Sequence, residues 1–178
     1  MTDVREFRRR QISWRDDADL LWGALSSGGA FLVVLGEDRR PNPMTVGWGQ
    51  IGIVWSRPVF TAYVRESRYT HSCVQCAEAF AVSVPAPGTL REALALCGSK
   101  SGREMDKFAA AGLTPYPATA VDTAVVAECV LHYECRIVAR TQQELAEIVT
   151  RDVTARFYPK GDPHLIVLGE IVSAYRTD

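Results

Sequence analysis

Two stretches of this 178-residue chain have the make-up of an anion grip. Arg65-Glu66-Ser67-Arg68-Tyr69-Thr70 follows a β-rich run and precedes a polar stretch long enough for a helix. Guanidinium groups, hydroxyls and the free N–H groups of a helix start can there converge on one dianion. Gly98-Ser99-Lys100-Ser101-Gly102-Arg103 repeats the recipe ahead of the next helix, its glycines admitting close backbone approach and Lys100 and Arg103 adding charge. Taken singly, each also reads as an ordinary solvated loop, and no Walker or GxGxxG pattern is present to explain either. A third stretch, residues 42–52, sets glycines beside Trp48 in a β-like segment, which marks either the approach of a ligand or a bulge at a barrel corner. Cys73-Val74-Gln75-Cys76 has dithiol spacing, but no βαβ pattern surrounds it, so inward-packing small residues are the expectation. Cys129, His132 and Cys135 are metal-ligating types, yet on a strand His132 faces away from both cysteines, which opposes a shared tetrahedral ion.

The elements that must position these groups follow from periodicity. Asp16-Asp17-Ala18-Asp19 ahead of Leu20, Leu21, Trp22, Ala24 and Leu25 predicts a capped amphipathic helix, stopped by Ser27-Gly28-Gly29. Residues 30–35 form a continuous apolar run suited to a buried strand, closed by turn residues at 36–38 and Pro41-Asn42-Pro43, with a second strand from about Met44. Residues 59–64 and 80–84 are β-rich, with a helix predicted between them at 70–79. Short helices are predicted at 90–96, ended by Gly98, and at 103–111, ended by Gly112. Alternation over 127–139 predicts a long half-exposed strand with Glu128, His132, Glu134 and Arg136 on its open face. Thr141 with Glu144 reads as a capping box for a helix carrying Leu145, Ile148 and Val149, and residues 165–175 as a last strand. Trp14, Trp22 and Trp55 read as core or dimer-contact residues. Strands broken by isolated short helices, without regular βαβ alternation, indicate a mainly β protein with helices (α+β), built on an antiparallel sheet or barrel. A single domain over 1–178 is expected, with 1–29 as N-terminal arm and helix.

Composition narrows the function classes. A domain of this length buries roughly 70% of the surface its unfolded chain exposes, enough for one good core. The formal net charge of -1 gives no global pull towards nucleic acid or anionic membrane, so any anion site must be local. No apolar run approaches the roughly 20 residues of a membrane span, and residues 1–10 lack an apolar leader core, so a cytoplasmic protein is expected. An odd cysteine count fits free thiols, and Arg8-Arg9-Arg10 reads as a solvated terminus.

Four blocks together carry a resemblance. Residues 43–49 (Pro-Met-Thr-Val-Gly-Trp-Gly), 58–61 leading to Val64-Arg65-Glu66-Ser67-Arg68-Tyr69-Thr70, Cys97 to Lys107, and His164 ahead of Gly169-Glu170-Ile171 resemble the flavin reductase-like family, in particular its flavoredoxin-type branch. Order and spacing are kept from about residue 30 onward. The resemblance implies a Greek-key split β-barrel that binds FMN, as a homodimer with the flavin near the subunit interface. It implies that Thr45, Val46, Gly47, Trp48 and Gly49 lie beside the isoalloxazine, and that Arg65, Ser67, Arg68, Tyr69 and Thr70 hold the ribityl phosphate. Ser99, Lys100 and Ser101, with Asp106 and Lys107 behind, would close the other side. The chain departs from the family pattern at Gly47, where serine is common, at Gln50, where a small residue is usual, and at Pro163 before the histidine. Flavin accepts hydride itself, so the protein need only bind, orient and tune it, with backbone at Trp48-Gly49-Gln50 facing charge that develops on reduction. His164 resembles the family histidine near the hydride donor; the alternative is a hydrogen-bonded histidine at a strand start. The expected activity is NAD(P)H-dependent flavin reduction by hydride transfer to N5, electrons passing to a downstream acceptor. The alternatives are a flavoredoxin-type carrier reduced by a partner protein and a non-enzymatic ligand-binding barrel.

Overall fold

The computed structural model describes residues 7–177; the first six residues of the expected N-terminal arm lie outside that range. Arg9–Gln11 forms a short strand, β1, where a solvated terminus was expected. The Arg9 guanidinium lies 4.9–5.3 Å from the ring centres of Phe7, Tyr116 and Tyr175, so its stem and charge are spread over aromatic faces. Helix α1 (Ala18–Ser27) stops at Gly28 and Gly29 as its sequence dictates. It is not side-chain capped: Asp17 adopts φ +57 and pairs with Arg176 at 3.2 Å, while the Asp16 carboxylate accepts from the Ser13 N–H.

The apolar run becomes β2 (Ala30–Leu35), buried on both faces because it separates two clusters. Ala30, Leu32 and Val34 join the main core with Leu21, Phe60, Val82 and Tyr133. Phe31 and Val33 join a second cluster with Leu94, Cys97, Phe108 and Val126. Burying large apolar side chains in this way contributes roughly 1.5–3 kcal/mol each. The segment expected as one glycine-rich strand is two, β3 (Pro41–Val46) and β4 (Gly49–Val54), broken at Gly47-Trp48. Pro41 and Pro43 therefore lie inside a strand; β3 ends the sheet order, where a missing N–H leaves no ladder bond unmade. Trp55 and Ser56, both at positive φ, turn β4 tightly into β5 (Arg57–Arg65). Helix α2 (Tyr69–Cys76) then carries the chain across to β6 (Ala79–Val84).

Helix α3 (Arg91–Ser99) runs through Gly98 instead of stopping at it, and α4 (Lys107–Ala110) is shorter than predicted. The pair β7 (Pro115–Pro117) and β8 (Ala124–Val126) went unforeseen, because three-residue strands show no period. Of the face expected to be open, Glu128 and Arg136 are exposed, but His132 and Glu134, on the first half of β9 (Leu131–Gln142), are fully buried. The Glu134 carboxylate accepts from the Thr119 and Ala120 N–H groups, so the 117–123 turn covers the face left open by alternation alone. His132 is bonded to Ser83 and to the Cys129 carbonyl. The capping-box helix is absent: Thr141 lies within β9, Leu145–Glu147 is one 3-10 turn, α5 (Arg151–Phe157) follows, and Val149 is 94% exposed. β10 (His164–Thr177) closes the fold.

Every ladder is antiparallel, in the order β3-β2-β6-β9-β10-β5-β4, with β1 on β10. This sheet with helices packed on it is the mainly β, α+β architecture expected. No helix among the described residues is long and apolar enough to cross a membrane.

Candidate functional site

The β3–β4 break, the end of β5 and the start of β10 meet at one cleft of about 160 Å³. Thr45, Val46, Gly47, Trp48, Arg65, Arg68 and His164 all line it, joined by Met44 and Tyr63, which sequence reasoning had not singled out. Register explains the meeting: His164 pairs with Arg65, and Tyr63 with Ile166 two places on, so the end of β5 and the start of β10 arrive together. Thr45 is held in place by its hydroxyl, which donates to the Leu94 carbonyl at 2.6 Å. The Trp48 ring packs against Phe157 and His164 at centroid distances of 5.1 and 5.0 Å, making an aromatic wall. Tyr158 and Phe157 could not have been found by pattern, since the helix that brings them lacks a clear apolar face.

His164 is buried, and its Nδ1 lies 2.9 Å from the Tyr158 hydroxyl. Burial, aided by the Arg65 charge, lowers its pKa to about 4, so at neutral pH it is an uncharged ring that can accept or donate one hydrogen bond. Gly49 and Gln50 lie on β4 beyond the cleft lining, Gln50 exposed.

The Arg65 to Thr70 run is divided by the fold. The Arg65 guanidinium donates to the carbonyls of Asp162 and Phe157 at 3.1 and 3.0 Å. The Ser67 N–H and hydroxyl both donate to the Asp162 carboxylate, at 2.9 and 2.8 Å. Buried Thr70 accepts from the Asn42 amide at 2.9 Å, pinning α2 to β3. The Tyr69 ring lies beneath the Arg103 guanidinium at 5.0 Å. Arg68 is different: it precedes α2, whose N-terminus no side chain caps, and makes no ion pair among the described residues. At the other end of α2, Arg140 donates to the carbonyls of Val74 and Ala77, a cation placed where the helix dipole is negative.

The second loop also divides. Ser99 and Lys100 end α3, so the stretch opens on the negative pole of a helix rather than the positive one expected. The Ser99 hydroxyl bonds back to Ala95, the Ser101 hydroxyl accepts from the Arg103 N–H, and Asp106 caps α4 by accepting from the Ala109 N–H. Lys107 is the buried cation of this stretch. Its ammonium meets only the Cys97 carbonyl, at 3.4 Å, and no carboxylate pairs with it among the described residues. Burial lowers its pKa and the nearby Arg68 charge lowers it further, against the opposing influence of Cys97. A buried cation facing a guanidinium with no counter-charge is costly on its own and fits a dianion such as a phosphate. The residues present therefore fit a phosphorylated, planar-ringed ligand.

Elsewhere, Cys73 is buried and Cys76 exposed, both as free thiols, and burial raises the Cys73 pKa. Among the described residues no cluster of three or more His, Cys, Asp or Glu is placed to hold a metal.

An antiparallel sheet with helices packed on it and a cleft lined by Trp48, Tyr63, Arg65 and Arg68 has the fold of split-barrel FMN-binding proteins of known structure. The flavin reductase like domain family matches over residues 22–178, and the chain belongs to that family. A protein of Archaeoglobus fulgidus without assigned function is 30% identical over 112 residues, which span 63% of this chain and 62% of that protein. Among solved structures, the flavoredoxin of Desulfovibrio vulgaris (Miyazaki F) superposes with a TM-score of 0.65 at 26% identity, over 85% of this chain and 70% of that one. The FMN-binding domain of a flavin reductases-like enzyme from Shewanella baltica gives 0.65 at 15% identity, over 96% and 78%. The NADH:FAD oxidoreductase of Streptomyces globisporus C-1027 gives 0.62 at 22%, over 85% and 78%.

Proposed function

We propose that this protein binds FMN and reduces it at the expense of NAD(P)H, passing the electrons to a downstream acceptor. The observation that carries the reading is two cations that no carboxylate pairs with among the described residues, Arg68, which lines a cleft walled by Met44 to Trp48 and His164, and buried Lys107, which feels the Arg68 charge. Arg68 and Lys107 would hold the phosphate, and the β3 backbone with Trp48 would flank the ring. Bound flavin supplies hydride acceptance, so no acid–base pair need be found in the chain. What the chain does is position: Phe157 and Tyr158 pack behind the Trp48 ring and hold it at the cleft, and neutral His164 offers a hydrogen bond without adding charge. The flavin-reductase family and a structural neighbour whose name specifies NADH:FAD chemistry support this reading. Five free cysteines fit a cytoplasmic setting.

Likeness to a flavoredoxin at 26% identity favours a second reading, a carrier that holds FMN but is reduced by a redox protein. Anaerobic mixing of the FMN-loaded protein with NADH and with NADPH separates the two. Bleaching of the flavin absorbance within seconds supports the reductase; bleaching only with a reduced protein donor supports the carrier. A protein that takes up no FMN sinks both.

A further inference from the structure

His164 is fastened more completely than a residue at a strand end needs to be. Its carbonyl accepts from the Gln143 N–H at 2.9 Å, and its N–H donates to the Gln143 side chain at 3.4 Å. Its ring lies among three others, with centroids 5.0 Å from Trp48, 5.5 Å from Tyr158 and 6.1 Å from Tyr63. Nδ1 is 2.9 Å from the Tyr158 hydroxyl. The ring is uncharged at neutral pH, so one of its two nitrogens carries a single proton, and the partner of Nδ1 decides which. Tyr158 is 5% exposed, and its hydroxyl makes no other hydrogen bond among the described residues. That hydroxyl has one proton and one acceptor within reach. With the ring proton on Nδ1, the buried hydroxyl proton would be left without a partner, which burial makes unfavourable. The other nitrogen, Nε2, makes no bond among the described residues and is not sealed from solvent. Tyr158 does not line the cleft and the His164 ring does, so Nε2 is the nitrogen left to face the ligand.

We infer that Tyr158 fixes the tautomer of His164: its hydroxyl donates to Nδ1, so Nε2 carries the ring proton and presents it to the cleft as an uncharged donor aimed at a carbonyl oxygen of the bound molecule. Tyr158 is a positioning residue, since it acts only through the imidazole. Donation to Nδ1 draws electron density from the ring and strengthens the opposite N–H as a donor. The rest of the cleft agrees in sign, for Tyr63, Arg65 and Arg68 line it and no carboxylate does. A ligand atom that meets Nε2 is therefore a hydrogen-bond acceptor. An uncharged donor suits a neutral carbonyl, whose oxygen gains charge only as electrons arrive and is then stabilised by an N–H already in place. The tautomer stands on the protein alone. The source of the carbonyl rests on the flavin reading, and both the flavin ring and a nicotinamide carboxamide offer one.

The chain has three histidines, so isotopic nitrogen labelling of histidine with long-range proton–nitrogen correlation spectra resolves each ring, and the set lost in His164→Gln identifies this one. At neutral pH the FMN-free wild type should show a protonated, pyrrole-type Nε2 and a pyridine-type Nδ1 for His164. A protonated Nδ1 overturns the inference. Tyr158→Phe keeps the aromatic ring and removes the hydroxyl; the Nδ1 signal should move towards that of an unbonded nitrogen and a share of the other tautomer should appear. An unchanged His164 spectrum also overturns it. Should Tyr158→Phe lose its native circular dichroism, the wild-type spectrum decides the tautomer by itself. Oxidised FMN and then NAD+, a pair that cannot react, are next added to the wild type. Displacement of the Nε2 signal by FMN, with Nδ1 held, makes the flavin ring the source of the carbonyl; displacement by NAD+ alone makes it the carboxamide. Nε2 unmoved in FMN-loaded protein with NAD+ present overturns the donor role, because a histidine that serves only the fold gives that result. A wild type that takes up no FMN, read by unquenched flavin fluorescence, defeats the proposed function while the FMN-free spectra still decide the tautomer.

Discussion

Lys107 shows how burial and charge can be told apart in one side chain. An ammonium taken out of water with only a distant carbonyl is unfavourable to the fold, and becomes favourable only when an anion arrives. Lys107→Met should therefore weaken FMN binding about 10- to 100-fold while leaving stability unchanged or raised; flavin-fluorescence titration and urea unfolding check the two halves. A variant that loses stability and keeps its affinity would put the phosphate elsewhere. The histidines make a second residue-scale case. The Ser83 hydroxyl accepts from the Val126 N–H, leaving its proton for His132 Nδ1, so the His132 Nε2–H points to the Cys129 carbonyl and the ring is held neutral. Burial chiefly lowers its pKa to about 3, and that of His164 to about 4. In the unfolded chain both take up protons near pH 6.5, so below that the unfolded state binds more protons than the folded one. Stability is thus full above about pH 6.5 and is lost as pH falls towards 4, by up to about 1.4 kcal/mol per pH unit for each histidine. Urea midpoints between about pH 7.5 and 4.5 measure this, and His164→Gln should roughly halve the slope.

Elements here are placed by a few close approaches that permit no side chain. β10 crosses β9 with a register shift at Leu168/Gly169, and a Cβ on Gly169 would lie 2.5 Å from the Phe80 ring and 2.7 Å from Cys135. Phe80 is fully buried and cannot retreat, so Gly169→Ala should destabilise by about 1–3 kcal/mol, seen as a lower urea midpoint with unchanged m-value. Because β10 begins at His164, the same shift governs where that ring meets Trp48. Gly102 plays a comparable part, its backbone pressed against Asn42 and Tyr69 so that the 99–106 loop seats beside α2. The glycine is visible in the sequence; the reason for it is not, since Asn42 and Gly102 are sixty positions apart.

At the scale of the whole molecule the exposed apolar groups point to a second copy. β4 ends the sheet order among the described residues, and Ile53 and Trp55 beside it are 55% and 64% exposed, with Trp22 at 52%. An unpaired edge carrying large apolar side chains is a liability that a partner removes. We expect a homodimer that uses this hairpin. Sedimentation should give twice the chain mass, and Ile53→Thr with Trp55→Asn should give a folded monomer, asparagine being chosen because position 55 has positive φ. A monomeric wild type would remove the proposal.

Continuous apolar runs determined β2, β5 and β6, because a strand buried on both faces needs no partner to declare itself. The lack of βαβ alternation determined the antiparallel class, and four spaced blocks determined the family. The tertiary structure decided the rest wherever the deciding contact lies far along the chain. His132 and Glu134 alternate as an exposed face would, and are buried because a turn fifteen residues earlier folds over Glu134 while Ser83, Thr177 and Tyr175 enclose His132. Arg65 and Ser67 have the composition of an anion grip, and their bonds to Asp162, ninety-five or more positions away, could not be read from it. Local pattern reports what a segment can bury or bind; which neighbour reaches it first is set by the path of the sheet.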